Sequence, residues 1–150
     1  MIAIDPHFEQ RTRDSFARQP AMGTLGITLE SVEAGRVVIA MAHRAALTQQ
    51  HGFLHAGMVA TGLDSACGYA AFTLMPADVG VLTIEFKINL LAPARGPQLR
   101  FEGVVTKAGR TISVVEGRAY QFDAGSSERK LVATMTATIM TITGRDDVRH

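Results

Sequence analysis

The chain has 150 residues, 47% of them hydrophobic, with 15 lysines and arginines against 14 aspartates and glutamates, a formal charge of +1 and one cysteine, Cys67. That length suits a single domain able to bury a core without staples. The balanced, scattered charge disfavours a nucleic-acid binder held by phosphate contacts, and a lone thiol excludes an internal disulfide framework or a multi-cysteine metal site and suits a reducing, cytoplasmic setting.

The first residues show no basic start followed by an apolar run, so no signal peptide is expected. A helical segment is expected within residues 1–19. Residues 5–18 set Phe8 and Phe16 among Glu9, Arg11, Arg13, Asp14 and Arg18, as in a short surface helix capped at Asp5 with Pro6 in its first turn and ended by Pro20 and Gly23. Two runs, Ile27–Val32 and Arg36–Met41, flank Glu33-Ala34-Gly35 and read as an antiparallel hairpin. Residues 53–75 form the one long segment of helical character, rich in Ala, Gly, Ser and Thr and nearly free of charge, which must be buried almost all round. Its weakly charged part, 56–77, is long enough to span a membrane, but Asp64 and the small residues argue against that. Pro76 stops the helix and Asp78–Gly80 turn the chain.

From Leu82 to Leu90 the alternation is strict: Leu82, Ile84, Phe86, Ile88 and Leu90 interleave with Thr83, Glu85, Lys87 and Asn89, predicting a strand with one face in a core. Turn signals at Pro93–Pro97, Lys107–Arg110 and Ala124–Ser127 separate strands near 98–106, 111–122 and 129–142. In the last, Leu131, Ala133, Met135, Ala137 and Ile139 share a face; the tail, 143–150, is expected to fray. The sum is an α+β domain, an antiparallel sheet of about five or six strands wrapped around one central helix whose small side chains permit close approach.

The densest polar cluster runs from Gln49 to Ala66. Asp64 is an acid inside an otherwise uncharged helix, a costly placement unless paired. At the helix start, the amides of Ala56 and Gly57 can meet a carbonyl oxygen beyond the N-terminus. His51 and His55 have i, i+4 spacing, but Gly52 lies between them and no third ligand follows, so no metal site is expected.

The segment Gln49–Ala71, followed by Val81–Pro93, resembles hotdog-fold acyl-CoA thioesterases of the PaaI-like type, with the likeness running from about residue 20 to 142. Its most specific part is a His-Gly-Gly motif with an Asp nine residues after the His, here His55-Ala56-Gly57 and Asp64. The resemblance implies that the Ala56 amide forms an oxyanion hole and that Asp64 is nucleophile or general base. It gives His55 a mainly structural place, and puts a polar side chain at Gln49 and a hydroxyl at Thr83, to orient water or the carboxylate. Ala56 stands where the motif has its first glycine, and Gln49 where Asn is usual. No cofactor is implied. The substrate would be an acyl-CoA, with no nucleic-acid or membrane partner, and the chain would form at least a dimer and, as a dimer of dimers, a tetramer.

Eight residues of helix separate Ala56 from Asp64 by about 12 Å, so one carbonyl cannot touch both. A site using both requires two copies of the chain related by a two-fold. Phe53, Leu54, Met58, Phe72 and Met75 are candidates for an acyl tunnel; Arg95, Arg110, Arg129 and Lys130, at turns, are candidates for the CoA phosphates. The competing activities on this fold are acyl-thioester hydration or dehydration, which needs a free His55 imidazole, and non-enzymatic acyl-CoA binding, which does not need Asp64.

Overall fold

A computed structural model describes residues 1–148. In chain order the elements are α1 (Phe8–Ala17), α2 (Pro20–Leu25), β1 (Ile27–Glu33), β2 (Arg36–Ala42), α3 (Ala56–Phe72), β3 (Gly80–Leu90), β4 (Gln98–Lys107), β5 (Ile112–Phe122) and β6 (Arg129–Ile142), with 3-10 turns at Ala45–Leu47 and Asp146–Val148. The strands form one antiparallel sheet in the order β1-β2-β4-β5-β6-β3, leaving β1 and β3 as its edges.

Pro20, expected to end the first helix, instead opens α2 from its first position, where a missing N–H costs nothing, and Gly26 closes α2 at φ +67°. Asp5 does not cap α1, whose N-cap is His7. Its carboxylate accepts the His7 N–H at 2.9 Å and pairs with Arg11 Nε at 2.9 Å. Arg11 then reaches the carbonyls of Phe72, Met75 and Pro76 at 2.8–3.2 Å and lies 4.1 Å over the Phe72 ring. A cation thus covers the carbonyl end of α3, where the helix dipole favours it.

α3 is shorter at both ends than its apolar run. Leu54 is held by a bridge to Thr48, so the helix starts only after His55, and residues 73–75 form a turn in which Thr73 donates to the Ala70 carbonyl. The sheet curls closely around α3 because side chains are missing at the crossings: a Cβ on Gly62 would sit 2.6 Å from the Phe101 ring, and one on Gly103 would collide with the Ala66 carbonyl oxygen. Leu63, Ala66, Cys67 and Phe72 of α3 and Val37, Ile39, Leu99, Phe101, Val115 and Ile139 of the strands are fully buried between the layers.

β3 departs from its predicted face. A bulge between Thr83 and Glu85 shifts the register, so that Val81 and Thr83 pair with Thr141 and Ile139 whereas Phe86, Ile88 and Leu90 pair with Ala137, Met135 and Ala133. An extra residue in one strand moves every later side chain to the other face. The alternation that reads as one buried face is therefore split, and Leu82, Ile84, Phe86 and Leu90 are 45–54% exposed along an edge strand. A second register shift, between Ala119 and Tyr120, leaves Leu131 exposed and puts Val132 beside Ala133 in the core.

Beyond β6 the chain does not continue outward. The Asp146–Val148 turn lies against the start of β3, close enough that a Cβ on Gly80 would meet the Val148 backbone. Residues 149 and 150, the end of the expected frayed tail, lie outside the described residues. Among the described residues no helix is long and apolar enough to cross a membrane.

Candidate active site

The start of α3 is built by the loop that precedes it. Gln49 and Phe53 are joined by an N–H to carbonyl bond of 2.9 Å, Gly52 turns at φ +82°, and His43 Nε2 lies 3.0 Å from the Gly52 carbonyl. His55 is the N-cap, and its Nδ1 accepts the Gly57 N–H at 2.9 Å. Because Nδ1 accepts, the neutral ring carries its proton on Nε2. The Met58 and Val59 amides both reach the His55 carbonyl. Gly57, expected to assist Ala56 at an oxyanion, has thus given its amide to the histidine ring. Among the described residues no hydrogen bond reaches the Ala56 N–H, so the first turn keeps one free donor, at the positive end of the helix.

That donor opens on a cavity of about 490 Å³ lined by Gln49, Gln50, Phe53, Leu54, His55, Ala56 and Val59 on one side and by Leu90, Leu91, Ala92, Pro93, Ala94 and Val132 on the other. The Gln49 side-chain carbonyl accepts the His51 N–H. Its amide nitrogen, a donor, is the group left to meet a ligand. Arg95 stands beside this cavity with its guanidinium 5.2 Å from the Phe53 ring centroid.

Asp64 lies two turns along α3, half-buried, and opens on a different cavity of about 240 Å³ lined by Gln19, Asp64, Ser65, Gly68, Tyr69, Val81, Leu82 and Thr83. The Thr83 hydroxyl donates to Asp64 Oδ1 at 2.7 Å. The bulge after Thr83 sets this contact: Thr83 lies on the helix side of β3 just before the register changes. Cys67, one turn on, is not a nucleophile: its thiol is buried, and desolvation together with the nearby Asp64 charge pushes its pKa up to about 12.

The residues singled out from the sequence thus fall into two groups. Gln49, Phe53, Leu54, His55 and Ala56 share the first cavity, and Asp64 and Thr83 share the second. Met58 lines neither, packing instead at the margin of the core. Phe72 and Met75, expected in an acyl tunnel, are buried at the far end of α3. Arg110 sits at that same far end beside Ala71, Met75 and Pro76, and Arg129 stacks over the Tyr120 ring at 4.5 Å, so neither reaches a cavity that holds site residues. The sequence reading missed Leu90–Ala94 and Val132 as walls, and Gln19, Ser65, Gly68 and Tyr69 as lining around Asp64. The glycine inside a helix was a signal for Gly68; nothing in the sequence pointed to Gln19.

The fold is that of hotdog proteins. PaaI of E. coli, from its phenylacetic acid degradation operon, superposes with a TM-score of 0.79 over 89% of this chain and 91% of that one, at 20% identity. The Thioesterase superfamily profile matches residues 51–127, which contain the helix start, Asp64 and Thr83, and this chain belongs to that family. A thioesterase family protein from Silicibacter pomeroyi is 55% identical, with a TM-score of 0.86 over 89% of this chain and 96% of that one. A Saccharolobus solfataricus protein, a candidate esterase by name, is 34% identical over 92 residues, 61% of this chain and 65% of that protein. The chain spans just under two thirds of the length of the curated relatives it matches.

Proposed function

We propose that the protein hydrolyses an acyl-CoA thioester at a site shared by two copies of the chain. The observation that carries this reading is the division of the machinery. The free Ala56 amide and the Asp64 carboxylate, the donor and the acid that a thioester hydrolase would use, open on separate cavities and lie about 12 Å apart along one helix. An antiparallel two-fold pairing of α3 helices sets Asp64 of one copy against Ala56 of the other. The partly unburied stripe Gly57, Ala60, Thr61 and Asp64 on α3, and the apolar edge of β3, are surfaces such a pairing would cover.

In this reading the thioester carbonyl oxygen accepts the Ala56 N–H, aided by the Gln49 amide, and negative charge developing on that oxygen is stabilised at the helix start. Asp64 of the other copy completes the reaction by one of two balanced routes. Its carboxylate attacks the carbonyl carbon, expels the CoA thiolate and leaves a mixed anhydride that water opens; or it takes a proton from water, whose oxygen attacks the carbonyl carbon, and the C–S bond then breaks to expel the CoA thiolate, which takes up that proton. Thr83 holds the carboxylate in either case. The use of His55 Nδ1 as a cap argues against a hydratase that would need this imidazole as its acid and base.

The test is release of free CoA, read with a thiol reagent, from a panel of acyl-CoAs given to purified protein. Turnover that Asp64→Asn removes, with the oligomer intact, supports the reading. Thermal stabilisation by acyl-CoA without release of CoA favours a binding protein instead.

A further inference from the structure

α3 contains three glycines, and a glycine inside a helix weakens it relative to alanine. Two of them are explained by their neighbours: a Cβ on Gly57 would sit 3.0 Å from His55 Nδ1, and one on Gly62 would sit 2.6 Å from the Phe101 ring. Within one copy of the chain Gly68 has no such reason, since a Cβ there would meet nothing within 4 Å. It is half-buried, lies one turn beyond Asp64 on the same helix face, and with Asp64 lines the cavity of about 240 Å³. Tyr69, the next residue along α3, also lines that cavity, and its hydroxyl lies 3.2 Å from that of Ser15.

We propose that Gly68 is a specificity-determining residue: its missing side chain leaves the passage along which the substrate's acyl group runs past Asp64, and so sets the size of acyl group accepted. This rests on the reading above that a thioester carbonyl is presented to Asp64. From Asp64 to Gly68 the helix rises about 6 Å, the length of a hexanoyl chain, so the preferred class is acyl groups of at least that reach rather than acetyl.

The test measures kcat/KM on a ladder of acetyl-, butanoyl-, hexanoyl- and octanoyl-CoA for the natural chain, Gly68→Ala and Gly68→Leu. The expected result is a fall in the hexanoyl-to-acetyl ratio of about tenfold or more in Gly68→Leu and a smaller fall in Gly68→Ala. Gly68→Ala also raises Tm, by roughly 2–4 °C, because the methyl enters empty space and the helix gains. A ratio unchanged in both variants overturns the proposal while leaving the thioesterase reading in place. A lower Tm with loss of the oligomer in Gly68→Ala also overturns it, since the gap would then belong to a second copy's helix. If the natural chain binds acyl-CoAs without cleaving them, the thioesterase reading fails by itself. The ladder is then read as thermal shifts, whose rise with chain length Gly68→Leu should flatten; an unflattened rise, or no binding by the natural chain, overturns the proposal.

Discussion

Thr83→Val isolates one hydrogen bond. Valine keeps the shape and the strand preference of threonine and removes only the hydroxyl, which lies 2.7 Å from Asp64 Oδ1 in a half-buried position. A hydrogen bond to a charged group contributes about 1.5–3 kcal/mol, so if the bond serves to aim the carboxylate in the transition state, kcat falls roughly ten- to 150-fold. KM stays near its original value, because the hydroxyl holds Asp64 and not the substrate. Steady-state kinetics on the best acyl-CoA, with the oligomer checked by sedimentation, read both quantities, and Thr83→Ser restores most of the rate. An unchanged kcat would refute the positioning role. A loss as deep as that of Asp64→Asn would show that Thr83 takes part in the chemistry itself.

Phe86→Glu puts a charge into the exposed apolar edge of β3 and is expected to give a folded monomer with no turnover, seen by sedimentation and circular dichroism together. Gly103→Ala forces a methyl into the Ala66 backbone and should cost about 1–3 kcal/mol in urea unfolding, whereas an alanine at Gly23, in α2 with open space around it, should not destabilise. The Cys67 thiol has its folded-state pKa raised from 9.0 to about 12, so below pH 9 both states hold the proton and above it only the unfolded chain releases it. The stability advantage of the natural chain over Cys67→Ala should therefore shrink by about 1 kcal/mol between pH 9 and 10 and by less than half of that between pH 8 and 9, measured by urea melts at pH 8, 9 and 10. A constant difference across that range would contradict the buried, protonated thiol.

Most of the fold is legible in the sequence because it rests on period and composition. The hairpin around Gly35, the three long strands after Pro93 and the small-residue helix lie where alternation, turn residues and missing charge place them. The failures have a common cause, a local device that the period does not record. The bulge after Thr83 reverses the faces of β3, the shift near Tyr120 does the same for Leu131, and Pro20 is as good a first helical residue as it is a stop. At the candidate site, His55, Ala56 and Asp64 stand out by their place in and before the uncharged helix and by the family resemblance, Gln49 and Thr83 by the resemblance alone. That Gly57 would lose its amide to His55 depends on a ring orientation no spacing encodes. The walls of the two cavities come from β3, β6 and the α1–α2 junction, and such long-range neighbours follow only from the closed fold.

The central claim, a site made by Asp64 of one copy and the Ala56 amide of another, is tested by complementation. Asp64→Asn removes the carboxylate, and Ala56→Pro removes the free N–H at a helix position that tolerates proline. Each variant alone should be inactive. Co-refolded, they form mixed dimers in which one site carries both lesions and the other carries neither, so activity should return toward one working site in about half of the dimers under random pairing. If mixed dimers form, both parents fold and no activity returns, the two groups do not share a site.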